Sequence, residues 1–538
     1  MAPNPPTAPD AAGSAKTSRR AKSKPFAFLV ASGIFLSRVT GLIRDRVFAH
    51  YFGNSDAADA FKAAFRIPNF LQNLFGEGVL SASFIPVYAR LLAEGNEEDA
   101  RRTAGAVAGL LALTTSVLVL AGVLATPLLI DGIAPGFSGA KRELTIRLVR
   151  ILFPGAGLLV FSAWCLGILN SHRRFFLSYT APVVWNGAMI ATLLVFGAHR
   201  PQYPLARMLA WGSVVGSAFQ VAVQWPVVIK VLRRLQLSLN YHSRQVKTVI
   251  HNFVPVFVGR GVVQISAYVD ALLASLLPTG AVAALAYAQT LYTLPVSLFG
   301  MSVSAAELPL MSGELGEAEQ IAAALCKRLN AGLRRIAFFV MPSVAAFLVL
   351  GDVIVAAIYQ TGQFTRADVL YVWGILAGAT LGLLASTCGR LYSSAFYALH
   401  DTRTPLRYAI VRVALTSLLG YVFALRLPAA LGIATRWGVA GLTVSAGIAA
   451  WIEFVLLRRG MNRRIGRSGL AAGFLTKIVA AAFAAAGIAW MVNHLYGTHA
   501  PVLTAIVVLL PYGLAYFGFA RLLGVPEARE ILGYLRPR

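Results

Sequence analysis

Apolar runs long enough to cross a bilayer recur from Phe26 to about Leu523, and no polar stretch between them is long enough to fold as a separate soluble domain. That recurrence leaves few solutions. In hydrocarbon every backbone N–H and C=O must be satisfied internally, and runs of about twenty residues do this as helices. Composition agrees, with 57% of the 538 residues hydrophobic and 13% charged, where a soluble globular chain carries about 25% charged residues. The fold class expected is an all-α polytopic membrane protein.

Fourteen helices are expected, at about 26–52, 56–92, 103–130, 141–170, 175–198, 204–235, 246–277, 281–312, 318–349, 366–399, 404–426, 436–458, 470–494 and 501–523. The net charge of +26, from 48 Lys and Arg against 22 Asp and Glu, gathers in alternate loops. "NSHRRF", "KVLRRLQLSLNYHSRQVK", "LHDTRTPLR" and "LRRGMNRRIGRS" follow the fourth, sixth, tenth and twelfth spans, whereas "LPTGA" and "NHLYGTHAP" carry no Lys or Arg. Basic short loops stay cytoplasmic. Both termini are therefore expected in the cytoplasm, and the charge points to membrane topology rather than nucleic acid. Residues 1–25 are rich in Pro, Ala and Ser, so a disordered basic tail able to touch anionic lipid is expected, with a second cytoplasmic tail at 524–538. No small-residue cleavage site follows the apolar run Phe26–Leu36, so the first helix is expected to stay uncleaved.

"LFGEGVLSASFIPVYARLLAEGNEEDARR" from Leu74 and "LFGMSVSAAELPLMSGELGEAEQ" from Leu298 share LFG, small residues, a Pro and an acidic run. The echo implies two pseudo-symmetric six-helix lobes, 26–235 and 246–458, followed by two helices at 470–523. Duplicated halves commonly hold a transporter's site between them.

A charge at the bilayer centre costs roughly 3 kcal/mol or more, so each one there asks for a reason. The first span contains "SRVTGLIRDR", Ser37 to Arg46. At about 100° per residue, Ser37, Arg38, Thr40, Gly41, Arg44 and Asp45 share an arc about 160° wide, and Arg46 falls outside it near the interface. An Arg38–Asp45 ion pair would serve packing alone but leaves Arg44 unexplained. Arg66, Arg260 and Arg390 lie at similar depth in the second, seventh and tenth spans. Arginines in both halves suit an anionic ligand, since guanidinium binds phosphate through two hydrogen bonds. Pro68 removes a backbone hydrogen bond from the second span, and the freed carbonyls and Asn69 line a cavity or serve a bend. Asp270 is a candidate site for a coupling proton or sodium ion, against the alternative of pairing with an arginine such as Arg260. Cys165, Cys326 and Cys388 lie in or beside apolar segments without CxxC spacing, and His is mostly in loops, so neither a metal nor a cofactor is expected. No HExxH, GxSxG or Walker A sequence occurs, which argues against an enzyme.

"SRVTGLIRDRVFAHYFGNSDAADAFKAAFRIPNFL", "FGEGVLSASFIPVYA", "QTGQFT" and "ALHDTRTP" resemble the MurJ (MviN) lipid II flippases of the MOP exporter superfamily over nearly the whole chain. The resemblance implies fourteen helices, two lobes in a V around a cationic cavity, and a lipid-tail groove beside the last two helices. It implies transfer of lipid-linked peptidoglycan precursor from the inner to the outer leaflet of the bacterial cytoplasmic membrane by alternating access. Partners would be lipid II, membrane lipids and cell-wall synthesis enzymes, with an ion gradient or the membrane potential as driving force. Arg38 and Arg44 match the family's pyrophosphate arginines. Asp59, Asn69, Glu77 and Gly78 match its "DAF", "PN" and "EG" positions, and Asp401, Thr404 and Pro405 its "DxKTP" turn. Together with Ser37, Gly41, Asp45 and Pro68, all of these except the arginines and Asn69 are expected to be structural or gating residues.

The chain departs from the family pattern at Gln72, where an arginine is usual, and at Thr290 and Thr293, where Arg and Glu stand in the family. Arg260 is a candidate replacement for the lost positive charge. The departures keep two alternatives open: export of another lipid-linked oligosaccharide or amphipathic compound, and a transport-inactive lipid-binding scaffold.

Overall fold

The computed structural model describes the backbone of residues 11–314, 317–496 and 500–535, and side chains from residue 32 onward except at 77, 258–267, 318 and 531–535. Helix α1 runs Ala11–Phe52, and the second expected span is three helices, α2 (Asp56–Phe75), α3 (Glu77–Ser83) and α4 (Ile85–Ala93). Then follow α5 (Glu97–Leu124), a short α6 (Thr126–Ile133), α7 (Gly139–Ser171), α8 (Phe175–Phe196), α9 (Gln202–Leu232) and α10 (Arg244–Ser275). The eighth span is α11 (Ala281–Pro295), a π-helical turn and α12 (Ser302–Ser312), and the ninth is α13 (Ala318–Val349), followed by α14 (Gly351–Tyr359). The tenth is α15 (Arg366–Thr380) and α16 (Leu383–Ala398), bent by 43° at their junction. The remainder are α17 (Arg403–Tyr421), a π-helical turn into α18 (Leu427–Ala430), α19 (Gly438–Ile465), α20 (Ala472–Tyr496), α21 (Pro501–Leu522) and α22 (Pro526–Leu535).

All fourteen expected segments are helical. Among the described residues ten helices are long and apolar enough to cross a membrane, and the bent pair α15–α16 makes eleven. That count leaves out α1 and α10, parts of which lie outside the described residues, and the second segment, which is divided into α2, α3 and α4.

Four expectations are corrected. Residues 11–25 are helical rather than a structureless tail, since Ala, Lys and Arg are good helix formers. The second span runs unbroken through Pro68 and breaks instead at Gly76, whose backbone is extended (φ −84°, ψ −157°), and again at Phe84. Helix α14 was not foreseen. The C-terminal tail contains α22, anchored by a bidentate Arg334–Glu527 pair at 2.6 and 3.1 Å.

The chain forms two compact units: Met1–Arg44, Ile67–Ala125 and Val149–Arg260, and Asp45–Arg66, Thr126–Leu148 and Gly261–Arg538. Four of the five boundaries fall inside α1, α2, α7 and α10 and the fifth between α5 and α6, rather than in the 236–245 loop. In the first unit an apolar core gathers Leu80, Tyr88, Val107, Trp164, Leu169 and Leu232. Helices α8 and α9 approach closely through Gly212, Ser213 and Gly216, the small-residue packing that membrane helices use in place of a hydrophobic driving force.

In the second unit the end of α1 and the start of α2 pack on α11 and on the α14–α15 turn. Phe48, Phe52, Phe61, Tyr287, Tyr359 and Phe364 form one aromatic cluster, with Phe48–Phe52 and Tyr287–Tyr359 ring centroids 4.6 and 4.8 Å apart. The "QTGQFT" turn clasps the α1 end: Gln363 N–H donates to the His50 carbonyl at 2.8 Å, and His50 Nδ1 lies 2.8 Å from Thr361 Oγ1. Gly53 and Gly362 both have φ +54° here, and a Cβ on Gly53 would lie 2.6 Å from the Gln363 carbonyl oxygen. Only glycine meets both demands. Helices α20 and α21 are held to α13 and α14, with Tyr512 donating to the Pro342 carbonyl and Tyr516 to that of Phe338, each at 2.6 Å.

Candidate substrate-binding site

In the first unit Arg38 is exposed and makes no hydrogen bond or ion pair among the described residues, and open space lies beyond Gly41. Ser37 is half-buried beside them, and its carbonyl accepts from Thr40. Arg44 is half-buried and oriented by α8: its Nη1 donates to Asn186 Oδ1 at 3.0 Å and its guanidinium lies over the Trp185 ring, 5.4 Å from the centroid. Asn186 is fixed by donating to the Pro182 carbonyl, and Trp185 by donating to Ser213 on α9. Planar stacking of this kind suits Arg and not Lys. Asn69 is half-buried without a hydrogen bond among the described residues, Pro68 is buried, and Gly78 is half-buried in α3. The side chains of Glu77 and Arg260 lie outside the described residues.

Asp45 leaves the arc that the helical wheel gave it. It is buried in the second unit and pairs with Lys62 Nζ at 3.2 Å, rather than with Arg38 as the packing alternative had it. Arg46, which the helical wheel put outside the arc, donates to the Ala357 and Ile358 carbonyls at the end of α14, where a cation meets the helix dipole's negative end. Asp59 is also structural. Its carboxylate accepts from Gly280 N at 2.8 Å, Ala283 N at 2.7 Å and Lys141 Nζ at 2.7 Å, capping the first turn of α11.

A second group of arginines stands in the second unit. Arg66 Nη2 donates to Gln289 Oε1 at 2.7 Å, and Tyr268 donates to the Arg66 carbonyl at 2.9 Å. Tyr292 meets Ser386 at 2.7 Å, one helical turn before Arg390, which is exposed and makes no hydrogen bond or ion pair among the described residues. Arg412 Nη1 donates to Glu453 Oε2 at 2.9 Å. Among the described residues Asp270 Oδ1 is buried without a hydrogen bond, and Arg66 and Arg412 are charged groups that act on it. Among the described residues no three His, Cys, Asp or Glu side chains come together as a metal site.

Sequence reasoning missed Asn186, Trp185, Gln289, Arg412 and Glu453. Arg412 and Glu453 gave the same signal as Arg390, a charge inside an apolar helix, and the neutral partners gave none. Thr290 and Thr293 bond back to the Ala286 and Gln289 carbonyls of their own helix. Gln289, on the same helix, reaches Arg66.

Between α16 and α17 Asp401 accepts from the backbone of Arg403 and Thr404 at 3.0 Å, from Thr404 Oγ1 at 2.6 Å and from Arg464 at 2.5 Å, with Pro405 buried behind. The Thr404 hydrogen bonds, helped by Arg464, pull its carboxyl down to about 2.

This architecture is that of a multi-pass membrane transporter. The solved inward-facing structure of a multidrug resistance MATE family transporter of the MOP superfamily shares it, with a TM-score of 0.62 at 17% identity over 81% of this chain and 98% of that one. A structure of lipid II flippase MurJ in an inward closed conformation matches at TM-score 0.73 and 25% identity, covering 92% of this chain and 99% of that chain. Residues 48–510 match the family model described as "Lipid II flippase MurJ". The lipid II flippase MurJ of Burkholderia cenocepacia is 31% identical over 81% of this chain and 84% of its own length. A Bdellovibrio bacteriovorus protein named "Probable lipid II flippase MurJ" is 33% identical over 94% and 95%. The chain belongs to the MurJ lipid II flippase family, a family of transporters and not of enzymes.

Proposed function

We propose that this chain moves lipid II from the inner to the outer leaflet of the bacterial cytoplasmic membrane, with its guanidinium groups holding the pyrophosphate. Family membership supports the substrate, and the observation that carries the mechanism is the state of the arginines. Arg38 in one unit and Arg390 in the other keep exposed guanidiniums without an acidic partner among the described residues. Arg44 and Arg66 are pre-oriented by side chains that carry no charge, Asn186 and Gln289. Pre-orientation lowers the ordering cost of binding an anion. No bond breaks, so transport requires the two leaflet-facing states to bind the headgroup differently. A cationic site also responds to the membrane potential, at about 2.3 kcal/mol per charge per 100 mV.

The basic loops support cytoplasmic termini. The neutral Thr290 and Thr293 favour a second reading, a different lipid-linked oligosaccharide on the same machinery. Proteoliposomes loaded with fluorescent lipid II, or with the same lipid lacking its peptide, separate the two. Faster transfer of lipid II supports the first reading; transfer of the peptide-free lipid alone supports the second.

A further inference from the structure

The connection from α9 to α10 builds a surface that the proposed transport does not use. Helix α9 ends at Leu232 and α10 begins at Arg244, with a non-helical segment between. That segment is seated on α5: a Cβ on Gly105 would overlap the Gln236 carbonyl, and one on Gly109 the Ser238 carbonyl. The two glycines are spaced four apart, so they open one groove along the helix face. Seated there, the segment presents Leu237, Leu239 and Tyr241 outward, 61%, 55% and 54% exposed. Next to them His242, Arg244, Lys247, Thr248 and His251 line an open hollow of about 470 Å³. Arg244 and Lys247 make no ion pair among the described residues.

We propose that this surface binds the phosphate of an anionic phospholipid at the membrane boundary, with Arg244 and Lys247 on the headgroup and Leu237, Leu239 and Tyr241 among the acyl chains. Two unneutralised cations supply the charge complement. Alternate apolar side chains, directly after a span of 31 residues, commit the ligand to a lipid rather than a soluble anion. Basic residues at a membrane surface attract anionic headgroups, and the gain per residue corresponds to roughly fivefold in affinity.

The test uses the full chain in detergent micelles, titrated with phosphatidylglycerol or phosphatidylcholine and read by native mass spectrometry. Phosphatidylglycerol is expected to be retained roughly 25-fold better than phosphatidylcholine, about fivefold from each of the two cations. Arg244→Gln or Lys247→Gln should each lower that preference roughly fivefold, with unfolding temperature unchanged. Leu237→Ser with Leu239→Ser should weaken retention of both lipids, and millimolar inorganic phosphate should displace neither. Equal preference in wild type and both charge variants would overturn the proposal. Displacement by inorganic phosphate would overturn it too, by marking a free anion as the ligand.

Discussion

Lys141 Nζ stands 2.7 Å from Asp59 Oδ2, in a site where Asp59 is 1% exposed and also receives two backbone N–H groups from the start of α11. Removing one member of a buried pair leaves the other's charge uncompensated, which costs about 3–5 kcal/mol. Lys141 keeps Asp56 at 2.9 Å, so Asp59→Ala is expected at the lower end of that range. Thermal unfolding in detergent should show a drop of several degrees for Asp59→Ala and a smaller one for Asp59→Asn, whose amide oxygen still accepts from Ala283. An unchanged unfolding temperature for Asp59→Ala would remove the pair from the fold's supports.

Gly53→Ala places a side chain at φ +54° and 2.6 Å from the Gln363 carbonyl, and the left-handed conformation alone costs about 1–2 kcal/mol. Gly513→Ala in α21 meets nothing within 4 Å. Unfolding temperature should fall for the first variant and hold or rise for the second. Equal behaviour of the two would show that the "QTGQFT" clasp contributes nothing.

Asp401 titrates at about 2 in the fold against an ordinary value of 3.8. A depressed folded value means that its stabilisation is complete above the unfolded value and is lost as pH falls from about 4 towards 2. The difference in unfolding temperature between wild type and Asp401→Asn should be constant above pH 5 and shrink below pH 4. A difference that grows on acidification has the wrong sign for this account.

Asn186 and Trp185 set the direction of Arg44. A hydrogen bond to a charged group contributes about 1.5–3 kcal/mol, and losing the orienting bond while keeping the charge should cost part of that, roughly tenfold in lipid II affinity for Asn186→Leu. Arg44→Lys should not recover wild-type affinity, because an ammonium neither stacks on Trp185 nor binds phosphate bidentately. Binding measured in micelles with purified lipid II decides it, and full affinity in both variants would contradict the role given to Arg44.

The all-helical class was legible because twenty-residue apolar runs admit one backbone solution. Breaks were harder: Pro68 looked like the kink, yet α2 continues through it and yields at Gly76, where nothing but backbone freedom marks the position. The helical wheel grouped Arg44 with Asp45, and that grouping failed because angle on a helix does not say which neighbour arrives, here Lys62 for Asp45 and Asn186 for Arg44. Intramembrane charge pointed to Arg66 and Arg390 and would have pointed equally to Arg412 and Glu453. The neutral side chains that orient these groups have no sequence signature of their own.

The central claim, that this chain transports lipid II through its arginines, is tested most directly in a bacterium depleted of its own lipid II flippase. Growth should be restored by the wild-type chain and not by Arg38→Ala or Arg44→Ala variants present in the membrane at the same level. Failure of the wild type to restore growth, or full rescue by both variants, would contradict it.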